Sequence, residues 1–271
     1  MEERIRIKEI KVGYTHSGTF HADDVFSSAF LRILNPDIEI RRVAELPKLG
    51  LGEIAFDIGL GLFDHHQANN EVRPNGVPYA AFGKLFRYFG DELGLSEKSL
   101  CLFEKEVVIP LDSKDNGGHN NPLSTLIRSM NPNWNEEVNL NDRFFETVKV
   151  AETLLLSHIK RLRSNEQAER GMLEKAREAK DGVLVLNRFV PTTALKRTDV
   201  LAVVFPSNRG GVNIRLTRGE FPVEWKGKEV VLAGHKAFCP GFLLVADTPE
   251  AGEDIAHALI GLIRCGEISL S

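Results

Sequence analysis

Along the first third of the chain, short apolar runs alternate with stretches whose apolar residues recur every three to four positions. Lys11–Thr15, Ile38–Val43 and Glu53–Gly59 are short and β-prone and read as strands. Between the first two, Ala22–Asn35 puts Val25, Phe26, Ala29, Phe30 and Ile33 on one helical face, and Pro36 stops it. Val77–Phe89, preceded by the turn Pro74-Asn75-Gly76, and Lys98–Val108 read as amphipathic helices. Strands alternating with helices predict an α/β fold, with a mostly parallel, Rossmann-like sheet and helices on both faces.

A longer helical pattern runs from about Asp142 to Lys180, with an apolar stripe of Val148, Ala151, Leu155, Ile159 and Leu162. Its second half, from Arg161, is strongly charged, and Asp181-Gly182 ends it. A helix much longer than about 25 residues is unusual inside one globule. The stretch therefore reads as a long connector helix, with a candidate break near Ser164-Asn165. Beyond Gly182 come five short β-prone runs: Val183–Asn187, Val200–Phe205, Val212–Leu216, Val230–Leu232 and Phe242–Ala246. A final helix, Pro249–Ile263, opens with Pro at its first turn. This part predicts a smaller C-terminal α+β domain.

Composition narrows the class. With 42% hydrophobic and 27% charged residues, the 271-residue chain is an ordinary globular one. A net charge of -4 gives no bulk attraction to nucleic acid or membrane, so any nucleic-acid contact needs a local basic patch. No apolar run of about 18 residues predicts a membrane span. The opening Met1–His16 lacks the apolar core of a signal peptide. Cys101, Cys239 and Cys265 are scattered without a C-x-x-C, which implies a reducing, cytoplasmic setting rather than a disulfide framework or zinc knuckle.

The residues that carry chemistry follow the predicted strands. After the first comes His16-Ser-Gly-Thr-Phe-His21-Ala-Asp23-Asp24; Asp57 interrupts the third; Asp64-His65-His66 follows; and the apolar run Val107–Leu111 ends in Asp112-Ser-Lys-Asp115-Asn116. In a doubly wound sheet, ligands bind outside the carboxyl ends of the strands, so all four segments are expected to converge on one crevice. That many carboxylates cannot share a site uncompensated, because burying an unpaired charge costs several kcal/mol per ion. Divalent cations remove the cost, and imidazole plus carboxylate without thiolate suits Mn, Mg, Co or Fe(II). Each segment also has a plainer reading: a solvated loop for Asp64-His65-His66, hydrogen-bonded histidines at His16 and His21, helix capping by Asp23 or Asp24, and turn residues at Asp112 and Asp115. The joint occurrence favours metal. Gly59-Leu-Gly61 is half of a dinucleotide fingerprint without its third glycine, and no G-x-S-x-G or phosphate-cradling P-loop is present.

On these motifs the chain resembles the DHH phosphoesterase superfamily, which includes RecJ nucleases and family II inorganic pyrophosphatases. It resembles more closely the melanocyte proliferating gene (MYG) exonuclease family. The matching stretches are Thr15–Asp23, Asp64-His65-His66-Gln67, Leu111–Gly117, Met130-Asn131-Pro132-Asn133-Trp134 and Ala176–Leu186, with looser matches at Phe205-Pro206-Ser207 and Trp225-Lys226-Gly227. The resemblance implies a two-domain enzyme with a dinuclear centre between its domains, usually of manganese, with Mg or Co as alternatives. It implies phosphoester hydrolysis, most of all 3′-to-5′ exonuclease action on RNA. By position, His16, His21 and Asp57 would hold one ion and Asp23, Asp57, His65 and Asp112 the other; Asp24 and Asp115 stay open. His66 would face the scissile phosphate, and Asp64 would orient a metal-binding histidine. The division expected is residues 1–140 as a DHH-type catalytic domain, 141–181 as connector and 182–271 as a substrate-binding domain. A histidine of the family pattern ahead of the C-terminal Gly-Phe pair is missing at Cys239-Pro240-Gly241-Phe242.

The motifs allow one aspartate to bridge two ions, and together with the resemblance they point to a two-metal phosphohydrolase. Arg209 in the Gly-rich turn Asn208–Gly211, Arg215, His235 and Lys236 are the candidate substrate contacts, with a solvated basic face as the plainer alternative. Two other functions compete: hydrolysis of a small phosphorylated compound such as pyrophosphate, a short oligonucleotide or a nucleoside phosphate, and metal binding without catalysis. The acidic net charge keeps the small substrate open. The expected partner is RNA or a small phosphoester, with no membrane; oligomeric state is not legible.

Overall fold

A computed structural model of the chain describes residues 5–268, in two compact units divided after Arg163. The first unit is built on a three-stranded parallel sheet. Strand β1 (Val12–His16) leads into helix α1 (Ala22–Leu34), which returns to β2 (Glu39–Val43); β3 (Glu53–Ala55) lies on the other side of β1, so the order is β2-β1-β3. This is the α/β pattern read from the periodicity, with β1 central.

One face of the sheet packs on a phenylalanine-rich core, with Phe20, Phe26, Phe30, Phe56, Phe82, Phe103 and Phe144 fully buried. Helix α2 (Ala81–Phe89) supplies part of it. The other face carries a small cluster of Val12, Tyr14 and Ala55, packed by Val43, Leu46 and Ile58.

The apolar run before Asp112 does not end a strand. Helix α3 (Glu97–Phe103) runs on through a π-helical turn, Glu104–Val108, into α4 (Ile109–Asp115). Pro110 has no N–H to close an α-helical bond, and its ring crowds the carbonyl one turn back, so the backbone widens there. Asp112 and Asp115 therefore project from a helix. Helix α5 (Pro122–Arg128), which the apolar pattern does not announce, follows, capped by the Asn121 side chain accepting from the Leu123 N–H at 2.9 Å. Helix α6 (Leu140–Lys175) is continuous through Ser164-Asn165, the proposed break, and the division between the units falls within it.

The second unit is a six-stranded mixed sheet: β4 (Val183–Val185), β5 (Ala202–Pro206), β6 (Val212–Leu216), β7 (Lys228–Leu232), β8 (His235–Cys239) and β9 (Leu244–Ala246), in the order β4-β5-β6-β9-β8-β7. Helix α7 (Pro249–Arg264) buries Ile255, Ala256, Leu259 and Ile260 against one face. Strand β8 is absent from the sequence reading. Its hairpin turn is Ala233-Gly234, both with positive φ (52° and 78°). Such two-residue turns favour Asn or Asp at the first position, so Ala there hid the signal. Among the described residues, no helix is long and apolar enough to cross a membrane.

Candidate metal centre

The first unit gathers its acidic and histidine motifs at the carboxyl end of the parallel sheet. His16 is the last residue of β1, and Asp57 follows β3 by two residues. Asp57 holds a left-handed φ of 55°, a conformation that Asp tolerates better than most residues. The chain then loops back. The Asp64 carboxylate accepts from the Leu60 N–H at 2.6 Å, and Gln67 Nε2 donates to the Leu60 and Gly61 carbonyls at 2.6 and 2.9 Å. This closed loop sets His65 over Asp57.

His65 Nε2 is the node. It lies 3.1 Å from Asp57 Oδ1, 3.0 Å from Asp115 Oδ2 and 4.0 Å from Asp23 Oδ2. The other Asp57 oxygen stands 3.4 Å from His16 Nε2, which is also 3.3 Å from Asp24 Oδ2. Asp23 is fixed from the opposite direction: its two oxygens accept the Ala81 and Phe82 N–H groups at 2.9 and 2.8 Å. His66 Nδ1 meets Asp64 Oδ1 at 2.7 Å and lies 3.7 Å from Asp57 Oδ1.

The loop between His16 and His21 is pinned by residues far along the chain. Asn131 accepts from the Phe20 N–H and donates to its carbonyl, at 3.1 and 2.9 Å. Arg42 donates to the Gly18 carbonyl at 2.6 Å, and its guanidinium stacks on Phe144 at 4.4 Å. Arg42 lies in no motif and carries no local signal of this role, and Asn131 stands out only within a stretch that matches the family.

Among the described residues, two groups of side chains have the donors and spacing to hold a metal ion: Asp57, His65 and His66, and Asp23, His65 and Asp115, each with its donor atoms within 4.8 Å of one another. The donor atoms fit a cation better than they fit each other. Asp57 Oδ1, Asp24 Oδ2 and His65 Nε2 are buried without a hydrogen-bond partner, since their close approaches are misaligned for hydrogen bonding. Carboxylate and imidazole without thiolate is the donor chemistry of a hard or borderline cation.

The structure separates the candidates of the sequence reading. His16, Asp23, Asp57 and His65 come together, and Asp64 backs His66. His21 is exposed beside them, its ring 5.9 Å from that of His16. Asp112 is engaged elsewhere: it bonds buried Arg73 at 2.6 Å and accepts the Gly83 N–H at 3.1 Å. A Cβ at Gly83 would land on the Asp112 carboxylate and 2.6 Å from Arg73 Nη2, so the pocket for this pair depends on glycine. Asp115, read as a turn residue, is the α4 carboxylate that reaches His65.

In the C-terminal unit, a cavity of about 630 Å³ is lined by Lys196, Arg215, Arg218 and Lys226, with the exposed rings of Phe189 and Phe242 at its edge. Arg215 is the only one of the four proposed substrate contacts found there. Arg209 lies in the β5–β6 turn. His235 and Lys236 are adjacent on β8 and so point to opposite faces: His235 meets Asp254 of α7 at 3.1 Å, and Lys236 meets Glu229 at 3.7 Å.

The side chains of the cluster are electrostatically divided. Burial pushes Asp24 up to about 7, and burial with neighbouring carboxylates pushes Asp23 well above its ordinary value. The Asp57 carboxylate draws His16 up to about 9. For His65, burial is outweighed by Asp115 and Asp57, which raise it to about 11. For Asp57, burial is outweighed by His16 and His65, which hold it at about 2. Asp24, His16 and His65 all have raised folded values, so their stabilisation is complete below the unfolded values and is lost as pH rises through about 7, 9 and 11. Asp57 loses its contribution only as pH falls toward about 2. Thermal melts in EDTA should therefore show the metal-free protein weakening steadily from pH 5 to pH 9. A flat or rising Tm over that range would contradict this charge arrangement. A divalent cation bound by the cluster should reverse the slope, because its ligands must be deprotonated.

Residues 12–198 match the MYG1_exonuc family model, described as Uncharacterised protein family (UPF0160). A MYG1 protein of Schizosaccharomyces pombe is 29% identical over 175 residues, covering 52% of this chain and 54% of that protein. A MYG1 exonuclease of Homo sapiens is 29% identical over 159 residues, covering 45% of this chain and 42% of that protein. A MYG1 protein of Dictyostelium discoideum is 22% identical over 273 residues, covering 79% of this chain and 83% of that protein. The chain thus spans about half the length of the first two relatives. No solved structure matches it. With the family match running from β1 through the start of the second unit, the chain belongs to the MYG1_exonuc family.

Proposed function

We propose that the protein is a metal-dependent phosphohydrolase, a 3′-to-5′ exonuclease acting on RNA with two manganese ions. The observation that carries this is the buried node of Asp57 and His65, whose donor atoms face one another unsatisfied. The names of the relatives support the nuclease reading.

On this reading His16, His21 and Asp57 hold one ion, and Asp23, Asp57, His65 and Asp115 hold the other. Asp115 takes the place first given to Asp112, because Asp112 is committed to Arg73. Held by these residues, the metal would supply charge for the phosphoryl oxygens and would acidify a bound water toward neutral pH. Asp64 accepts from His66 Nδ1, which leaves Nε2 as the nitrogen that exchanges a proton with the leaving oxygen. The Asp64 carboxyl is held below its ordinary range: burial raises it, but His66 and the Leu60 and His66 N–H groups lower it more. In the C-terminal cavity, bases stack on Phe189 and Phe242 while Arg215, Lys196, Arg218 and Lys226 meet phosphates, as in other single-strand sites.

Labelled RNA, a dinucleotide and pyrophosphate, each incubated with the manganese-loaded protein, test the reading. Shortening of RNA from its 3′ end, with mononucleotide release, is expected. Cleavage confined to pyrophosphate or the dinucleotide would make it a small-phosphoester hydrolase, and no turnover with any of them would leave a metal-binding protein. In the same preparation, Asp115→Asn should lose bound manganese and hydrolysis, whereas Asp112→Asn should keep manganese and lower stability. The reverse pattern would return the ligand role to Asp112.

A further inference from the structure

A cavity of about 470 Å³ opens beside the acid cluster. One wall is His21, His65, His66 and Asp115; the other holds Lys114 of α4 and, from α5, Ser124 and Arg128.

Three features of that second wall go together. Lys114 Nζ donates to Asn120 Oδ1 at 2.9 Å, a neutral partner that steadies the ammonium without cancelling its charge. Among the described residues, no carboxylate pairs with Lys114 or Arg128, although the neighbouring wall is rich in them. Ser124 is 7% exposed, and its Oγ is buried with no hydrogen-bond partner. A buried hydroxyl without a partner is costly to leave unsatisfied, so this serine is short of a hydrogen-bond partner that a ligand would supply. Two cations without a carboxylate partner and a buried hydroxyl without a hydrogen-bond partner, all on residues that line one cavity, are complementary to an oxyanion. The carboxylates opposite would repel a phosphate chain, so a site of this charge needs counter-charges of its own.

We infer that Lys114, Arg128 and Ser124 form a seat for a substrate phosphate beside the metal centre. This rests on the reading of Asp57, His65 and Asp115 as that centre. It adds a second phosphate-binding element, on the catalytic unit itself, to the cations of the C-terminal cavity. An ester of phosphate is the ligand class, with the ammonium and guanidinium meeting its charged oxygens and the serine hydroxyl donating to one of them.

The whole 271-residue chain, loaded with manganese, is titrated with inorganic phosphate by calorimetry, and KM and kcat are measured on single-stranded RNA. Lys114→Met and Arg128→Met should each weaken phosphate binding and raise KM about tenfold, the loss expected for one charged hydrogen bond. Manganese content should not change. The slope of log affinity for RNA against log salt should shrink by roughly 0.7 for each cation removed. Ser124→Ala should weaken phosphate binding while leaving the Tm of the unliganded protein level or higher, which a merely structural serine would not do. Phosphate affinity, KM and salt slope within twofold of wild type in both cation variants would overturn the inference. If wild type binds no manganese, the metal-centre reading fails by itself. The seat is then judged on the metal-free protein: phosphate binding lost in Lys114→Met and Arg128→Met upholds it, and equal binding, or none in wild type, overturns it.

Discussion

Asp57→Asn should strip the protein of manganese and abolish hydrolysis, with activity falling at least about 100-fold, the upper range for residues that only support metal ligands. Asn is the right replacement, because it adopts the left-handed backbone of position 57 at least as readily as Asp, where Ala would add strain. The effect is therefore chemical rather than conformational. Among the described residues, Asp57 is the one carboxylate within 3.5 Å of both His16 and His65, so its loss removes the bridge between the two halves of the cluster. Metal content by elemental analysis and turnover on labelled RNA are the measurements. Retained manganese with lost turnover would move Asp57 out of the ligand set.

His66→Ala should lower hydrolysis about 100- to 10,000-fold, the usual contribution of a positioned acid or base, with manganese content unchanged. The reason is the engagement of Nδ1 with Asp64 at 2.7 Å, against 3.7 Å to Asp57. With Nδ1 engaged, the half-exposed ring presents Nε2 to the cavity. Loss of metal in this variant would instead make His66 a ligand, in the group it forms with Asp57 and His65. Turnover near wild type would remove it from the chemistry. Asp64→Asn should resemble a milder His66 variant, since the amide still fills the loop but holds the ring less firmly.

Much of the centre was legible because its chemistry restricts residue type. Few structural roles ask for His-x4-His-x-Asp after a strand, or for Asp-His-His a short loop after a lone aspartate, so these motifs stood out against the apolar pattern. The roles of Asp112 and Asp115 were not legible. Both follow an apolar run, and the sequence does not say whether that run is a strand end or a helix widened ahead of Pro110. In the helical arrangement, Asp115 reaches His65 and Asp112 faces Arg73, 39 residues away in sequence. Arg42, Lys114 and Arg128 were equally silent, since a lone cation has the same local pattern whether it is solvated or lines a cavity.

In the second unit, alternation revealed five strands and the closing helix but missed β8, because an Ala-Gly turn does not announce a hairpin. With β8 in place, His235 and Lys236 lie on opposite faces, and only Arg215 among the candidate contacts reaches the cavity. By itself the sequence determined the fold class, most elements of both halves and the residues able to take part in metal chemistry, because periodicity and side-chain type are local properties. Tertiary structure decided which carboxylate meets His65, which cations remain unpaired and which strand faces line a cavity, because these depend on distances between segments far apart along the chain.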